Sequence, residues 1–304
     1  MKGKFTTPIS VHFLIHKDYY CIKELRLYLY SLLCRDIENC STDGLDIPVF
    51  FHIGSGNIQI PTISNIDSEK QIIIPIIDEN MFCDSIWNKY IDELLTEIQS
   101  KPKKYAICPV SVFDYAFQIH DKLKGFQFIR LKSNSILENK QEFEIRLFDC
   151  LIRNLGVVKA TNKLKVFISH SKRDVDSIGK NTAESLRNYL HSKTKLNSFF
   201  DANDILDGED FGKIIKVNVR NSIFVIVSSD TYSEREWCRI EALESKYKRV
   251  PSIRIDCSSH YCNRIFPYMA NIPSVRFSGD WEEVVALMLR TTLDWYYQKN
   301  ILEI

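Results

Sequence analysis

The chain has 304 residues, about twice the commonest domain size, so two compact domains are expected. A composition of 45% apolar and 26% charged residues is that of a folded protein and excludes long disordered stretches. Forty basic residues stand against thirty-nine acidic ones, leaving no global field to attract nucleic acid or an anionic membrane, so neither is an expected partner.

Short runs rich in Ile, Val and Phe alternate with amphipathic stretches of helix length, the pattern of parallel strands covered by helices. Val11 to Ile15 reads as the first strand, followed by a helix whose Ile22, Leu25, Leu29, Leu32 and Leu33 share one face. Val49 to Ile53, Gln71 to Ile77, Tyr105 to Val110 and Phe126 to Leu131 are the next strands, and a closing helix runs from about Lys140 to Asn154. The order then begins again. Val166 to His170 is a strand, a helix passes through Ile178, Leu186 and Leu190, and strands follow around Ser198 to Phe200 and at Ile223 to Ser228, Ser252 to Asp256 and Ser274 to Phe277. A last helix from about Asp280 carries Val284, Leu287, Met288 and Trp295.

Individual residues repeat with the elements: Phe13-Leu14-Ile15-His16 matches Phe167-Ile168-Ser169-His170, and Trp87 matches Trp237. The expected fold class is therefore α/β, as two tandem doubly wound, mainly parallel five-stranded sheets in domains 1–158 and 159–304, joined near Gly156 to Lys163. Duplication explains the repeat; two unrelated domains of one fold class would share the element order as well.

Three loops of the second half carry the chemistry. The strand Phe167-Ile168-Ser169-His170 breaks into Ser171-Lys172-Arg173-Asp174. The next strand runs into Asp201-Ala202-Asn203-Asp204-Ile205-Leu206-Asp207-Gly208, and the third leads to Ser233-Glu234-Arg235-Glu236-Trp237-Cys238-Arg239-Ile240-Glu241. In such sheets ligands settle at the carboxyl ends of strands, where all three loops begin.

In that order and spacing, the segments resemble the Toll/interleukin-1-receptor (TIR) domain family in its bacterial form, over Lys165 to about Tyr297. The resemblance implies a flavodoxin-like fold and either an enzyme or a signalling adaptor, since the family contains both. Its enzymes cleave the bond between nicotinamide and ribose in NAD with the glutamate of the Trp-x-x-x-Glu segment, here Glu241. By matching position, Phe167, Ser169, His170, Lys172 and Arg173 would border the nucleotide, the two cations near its diphosphate. Asp201, Asp204 and Gly208 would lie in a loop that joins neighbouring protomers and shapes the pocket. Trp237 would supply an aromatic wall, with core packing as its plainer alternative. NAD is a substrate here, and no cofactor or metal is implied. Self-association through TIR domains, control by an upstream sensor or another defence protein, and a role in bacterial defence against phage are further implications.

The chemistry is self-consistent. Nicotinamide leaves neutral, so no general acid need protonate it, unlike a sugar leaving group, which calls for two carboxylates. Positive charge develops on the ribose, and a fixed carboxylate stabilises it. Trp237 and Glu241 stand one helical turn apart, so both are expected on one face.

Counting four residues beyond Trp87 in the first half gives Ile91, which cannot stabilise a cation; Asp92 and Glu93 would face elsewhere, each residue rotating the side chain by about 100°. The first domain is thus expected to regulate or assemble. Gly54-Ser55-Gly56-Asn57-Ile58-Gln59 fails a dinucleotide fingerprint at its sixth position. Ile205 and Ile214 exclude an EF-hand around Gly208, and Cys257, His260 and Cys262 lack a second pair for zinc. P-loop and nucleophile-elbow motifs are missing. Nine scattered cysteines, no signal-peptide core and no run near the roughly 18 apolar residues of a membrane span place the chain in the cytoplasm. Two other functions remain open: a non-enzymatic TIR–TIR interaction module, and a nucleoside-processing transferase.

Overall fold

The computed structural model describes residues 6–34, 44–54, 68–131, 133–156, 164–174, 176–194, 196–200, 218–219, 222–259 and 269–303. The chain divides into two compact units, Met1–Val157 with Tyr296–Ile304, and Val158–Trp295. Among the described residues, no helix is long and apolar enough to cross a membrane.

Unit 1 is a parallel sheet built from β1 (Thr7–His16), β2 (Val49–Gly54), β3 (Ser68–Ile77), β4 (Tyr105–Ile107), β5 (Val110–Ser111) and β6 (Ile129–Arg130). Its helices are α1 (Ile22–Leu33), α2 (Glu79–Cys83), α3 (Ser85–Ser100) and α4 (Lys140–Asn154). The strand order is β2-β1-β3-β5-β6, with β4 also paired to β3. β1 is buried along nearly its whole length, as a central parallel strand covered on both faces must be. α1 seats Leu25, Leu29, Leu32 and Leu33, one helical stripe, against the sheet. Asp84 starts α3 by accepting the Ile86 N–H at 2.8 Å, and α3 buries Trp87, Ile91, Leu94, Leu95 and Ile98.

The first sheet has six strands where five are expected, because the single run from Tyr105 to Val110 is broken. Two prolines account for the break. The register Gln71↔Tyr105 through Ile76↔Val110 is unchanged across the gap. The Cys108 N–H donates to the Ile73 carbonyl at 2.9 Å, so alternation points Pro75 at the same neighbour, where it has no N–H to give the Cys108 carbonyl. Pro109 faces the other way, its carbonyl accepting from the Ile129 N–H at 2.9 Å. Having no N–H for β6, it delays that pairing, and the expected strand from Phe126 shrinks to Ile129–Arg130.

Unit 2 has β7 (Lys165–His170), α5 (Ile178–Lys193), β8 (Asn197–Phe200), β9 (Ile223–Ser228), α6 (Glu236–Tyr247), β10 (Ser252–Asp256), β11 (Ser274–Arg276) and α7 (Trp281–Glu303). Its five parallel strands are ordered β11-β10-β9-β7-β8. In both units the first strand thus lies between the second and third, the flavodoxin-like order. In both, the first helix starts behind a left-handed residue that is not glycine, Cys21 at φ 57° and Ser177 at φ 53°. The last turns of α7, from Tyr296, group with unit 1, where the Tyr297 hydroxyl donates to the Asp46 carbonyl at 3.2 Å.

Periodicity gives no hint of a polar chain inside unit 1. Ser10, His12, His52 and Ser68 are all buried. His12 Nδ1 lies 3.0 Å from His52 Nε2, His12 Nε2 lies 3.1 Å from Ser10 Oγ, and Ser10 Oγ lies 2.9 Å from Ser68 Oγ. A neutral imidazole donates at one nitrogen and accepts at the other, so neutral rings satisfy this chain. Burial first, then the neighbouring His52, hold the His12 pKa down at about 3.

The unfolded chain therefore binds the proton more readily than the folded one. The stabilisation from neutral His12 is complete above about pH 6.5 and is lost as pH falls toward 3. Hydrogen exchange at the β1 amides should show protection falling by about 1.4 kcal/mol per pH unit over that window from this group. The His12→Gln variant should lack that part of the slope; equal slopes would refute the assignment.

Candidate functional site

In unit 2 the chain leaves β7 for one side of the sheet and β9 for the other, which makes the carboxyl ends of these two strands the switch point where sheets of this kind take their ligands. The loops after these strands and the start of α6 stand at that point.

Alternation along β7 turns Phe167 and Ser169 to one face and Ile168 and His170 to the opposite one. The first face meets α6, which buries Cys238, Glu241, Ala242 and Ser245, again one helical stripe. Phe167 is fully buried and stacks on Phe224 with ring centroids 5.5 Å apart, within the core cluster beneath α6. Ser169, 1% exposed, donates its hydroxyl hydrogen to Glu241 Oε2 at 2.5 Å. Glu241 itself is 4% exposed. His170 is buried on the far face and does not join this pair.

Tyr232, in the one-turn helix Tyr232–Glu234 after β9, completes the arrangement. Its hydroxyl is 2.6 Å from Ser169 Oγ and 3.4 Å from the Cys238 carbonyl. Burial above all, helped by Cys238 and the Glu241 carboxylate, holds its ionisation well above the usual tyrosine range, so it keeps its proton.

Lys172 and Arg173 are exposed on the loop beyond β7, and the Arg235 guanidinium donates to the Arg173 carbonyl at 3.4 Å. Trp237 is 49% exposed on the first turn of α6, which removes the core-packing alternative for it. Asp201, Asp204 and Gly208 lie outside the described residues, as do His260 and Cys262. Among the described residues no cluster of three metal-ligating side chains occurs, and the described cysteines are free thiols.

Asp174 joins the two loops. Its Oδ1 accepts from Ser229 Oγ at 2.9 Å and from Thr231 Oγ1, while Oδ2 accepts the Gly179 N–H at 2.9 Å in the first turn of α5. Ser171 Oγ adds a contact to Thr231 Oγ1 at 2.7 Å. Reading the sequence did not single out Tyr232, Asp174 or Gly179. An aspartate five residues before a glycine at a helix start, and a tyrosine just past a buried strand, are signals too common to stand out alone.

The corresponding place in unit 1 is apolar. Ile91, 1% exposed, packs in a cluster with Leu14, Ile73, Trp87 and Leu95. Trp87 is fully buried and its Nε1–H donates to the Gly54 carbonyl at 3.1 Å, so the two tryptophans differ in setting. Asp92 faces outward, 2.6 Å from Lys122 Nζ and 3.1 Å from His120 Nε2.

Compared with known proteins, residues 166–289 match the family model described as TIR domain. No curated protein matches the chain. Among solved structures, the C-terminal domain of glucosamine-fructose-6-phosphate aminotransferase from Francisella tularensis aligns over 97% of this chain and 84% of its own, at 10% identity and a TM-score of 0.23. That likeness is too slight to carry any argument.

The clamp around Asp174 leaves no room at Gly179, where a Cβ would stand 2.4 Å from Asp174 Oδ2 and 3.2 Å from the Ser171 carbonyl oxygen. Gly179→Ala should lower the unfolding free energy of unit 2 by about 1–3 kcal/mol, read by denaturant titration. Wild-type stability would show that the carboxylate is not held as described.

Proposed function

Residues 166–289 match the TIR domain family model, and on that premise we propose that unit 2 is a TIR domain and an enzyme that cleaves NAD between nicotinamide and ribose. The observation that carries the reading is Glu241, a carboxylate buried beside the carboxyl end of β7 and held by Ser169. A glutamine would fill the same space and accept the same hydrogen bond without the cost of burying a charge. An acid at that place points to use of its charge.

In the proposed reaction the bond from C1′ of the ribose to the ring nitrogen breaks, and its electron pair goes to nicotinamide, cancelling the ring's positive charge. The ribose is left cationic, and the Glu241 carboxylate stabilises it. Water then adds and gives up a proton, completing hydrolysis, or a nitrogen of the adenine adds and closes a cycle. Lys172 and Arg173 are assigned to the diphosphate and Trp237 to an aromatic wall, with the loop of Asp201, Asp204 and Gly208 shaping the pocket. TIR domains commonly self-associate, and we assign the active state to an assembly of copies in the cytoplasm, serving defence against phage. Unit 1 is read as a copy of the same frame without the charge, retained for control or assembly.

The non-enzymatic alternative draws on a different observation: α6 exposes Trp237, Leu243 and Tyr247, large apolar side chains suited to a protein contact.

Glu241→Gln separates the two readings. For the enzyme, nicotinamide release from NAD, assayed alone and under crowding, should fall by on the order of 10²–10³-fold with the melting temperature unchanged or higher. A docking module predicts that this variant keeps its cellular effect and that Tyr247→Glu loses it. No nicotinamide release by the wild type in any state would end the enzymatic reading.

A further inference from the structure

Glu241 is held through a directed chain of hydroxyls whose polarity follows from proton counting. A carboxylate only accepts, so the one hydrogen of Ser169 Oγ goes to Glu241 Oε2 at 2.5 Å. Ser169 Oγ must then accept across its 2.6 Å contact with Tyr232, and the Tyr232 hydroxyl must donate. The Cys238 carbonyl, at 3.4 Å, is the more distant acceptor for the same hydrogen. Tyr232 is fully buried in a cluster with Phe167, Phe224 and Ala242, so its ring cannot swing away.

We propose that Ser169 and Tyr232 are positioning residues, a two-hydroxyl relay that fixes the orientation of the Glu241 carboxylate toward the ribose. The proposal rests on the catalytic reading of Glu241. Tyr232 acts through Ser169: it settles where the serine hydrogen points, and the serine settles the carboxylate. Neither residue needs to touch substrate, since both are sealed from solvent. A misplaced charge stabilises the forming cation less while leaving the binding surfaces alone, so the loss should fall on kcat rather than KM.

Steady-state nicotinamide release from the full-length wild type, Glu241→Gln, Ser169→Ala, Tyr232→Phe and the Ser169→Ala/Tyr232→Phe double variant tests this. Ser169→Ala and Tyr232→Phe should each lower kcat by about tenfold to hundredfold with KM within about twofold. The double variant should be no slower than Ser169→Ala, because the tyrosine has nothing left to act through. Ser169→Thr, which keeps the hydroxyl, should recover most of the rate. Wild-type kcat in Ser169→Ala or Tyr232→Phe, or losses that multiply in the double variant, would overturn the relay and leave Glu241 catalysis standing. Equal rates for the wild type and Glu241→Gln, or no rate in either, would overturn the catalytic reading and the relay with it. Should Tyr232→Phe melt below the assay temperature, Ser169→Ala decides alone: an unchanged kcat sinks the proposal, and a lower kcat at unchanged KM supports it.

Discussion

An ionised carboxylate gives up several kcal/mol of hydration on burial unless donors replace the lost water. In unit 2 that cost falls on Glu241, and the neighbouring structure is arranged around meeting it. β7 supplies a serine where its alternation faces α6, and the turn after β9 supplies a tyrosine that can orient the serine. The same stripe of α6 that buries the acid also buries Cys238, Ala242 and Ser245. The acid's place is thus set by helix packing, and its direction by hydroxyls. Asp174 repeats the principle in the loop after β7, where serine, threonine and glycine donors converge on one carboxylate and tie the two loops together.

Unit 1 follows the same strand order without that demand. Its helix after the third strand offers Ile91, Leu95 and a fully buried Trp87, and the space is filled by dispersion contacts instead of a charge and its donors. Four of the polar residues that unit 1 does bury form the serine and histidine chain across β1, β2 and β3, and His16, at the end of β1, lies 3.4 Å from Asp84. Under the proposal that the units descend from one frame, what was kept is the part that organises strands and what diverged is the part that meets a ligand. The left-handed residues Cys21 and Ser177 belong to the kept part, since each starts a first helix at the same point of the fold.

Much of this was legible in the amino-acid order. Strands buried on both faces announce themselves as apolar runs, and Ile223–Ser228, Ser252–Asp256 and the helix Lys140–Asn154 sit where periodicity puts them. Glu241 was singled out by the resemblance that the Trp-Cys-x-x-Glu segment carries, and the segment does open a helix. What periodicity could not report is which way a polar side chain at a strand end turns. Ser169 and His170 are adjacent and both buried, yet only the serine faces the acid. Phe167 drew attention through its motif, and alternation puts it on the packed face beneath α6, a burial that the motif does not announce. The proline pair was visible as letters, but its effect needs the register: Pro75 and Pro109 act on opposite neighbours, a fact fixed only once the strands are paired.

The two missing rungs have a bearing on how unit 1 meets other molecules. β6 is the last strand on its side of the sheet and pairs over two residues only. So short a rim presents almost no row of unpaired peptide groups on which a foreign strand could template itself. β11, the matching rim of unit 2, spans three residues and is nearly as poor a template. A contact made at either of these two rims must therefore be knit by side chains and loops, while the longer edge strand on the other side of the unit 1 sheet, β2 with six residues, keeps the fuller row of peptide groups.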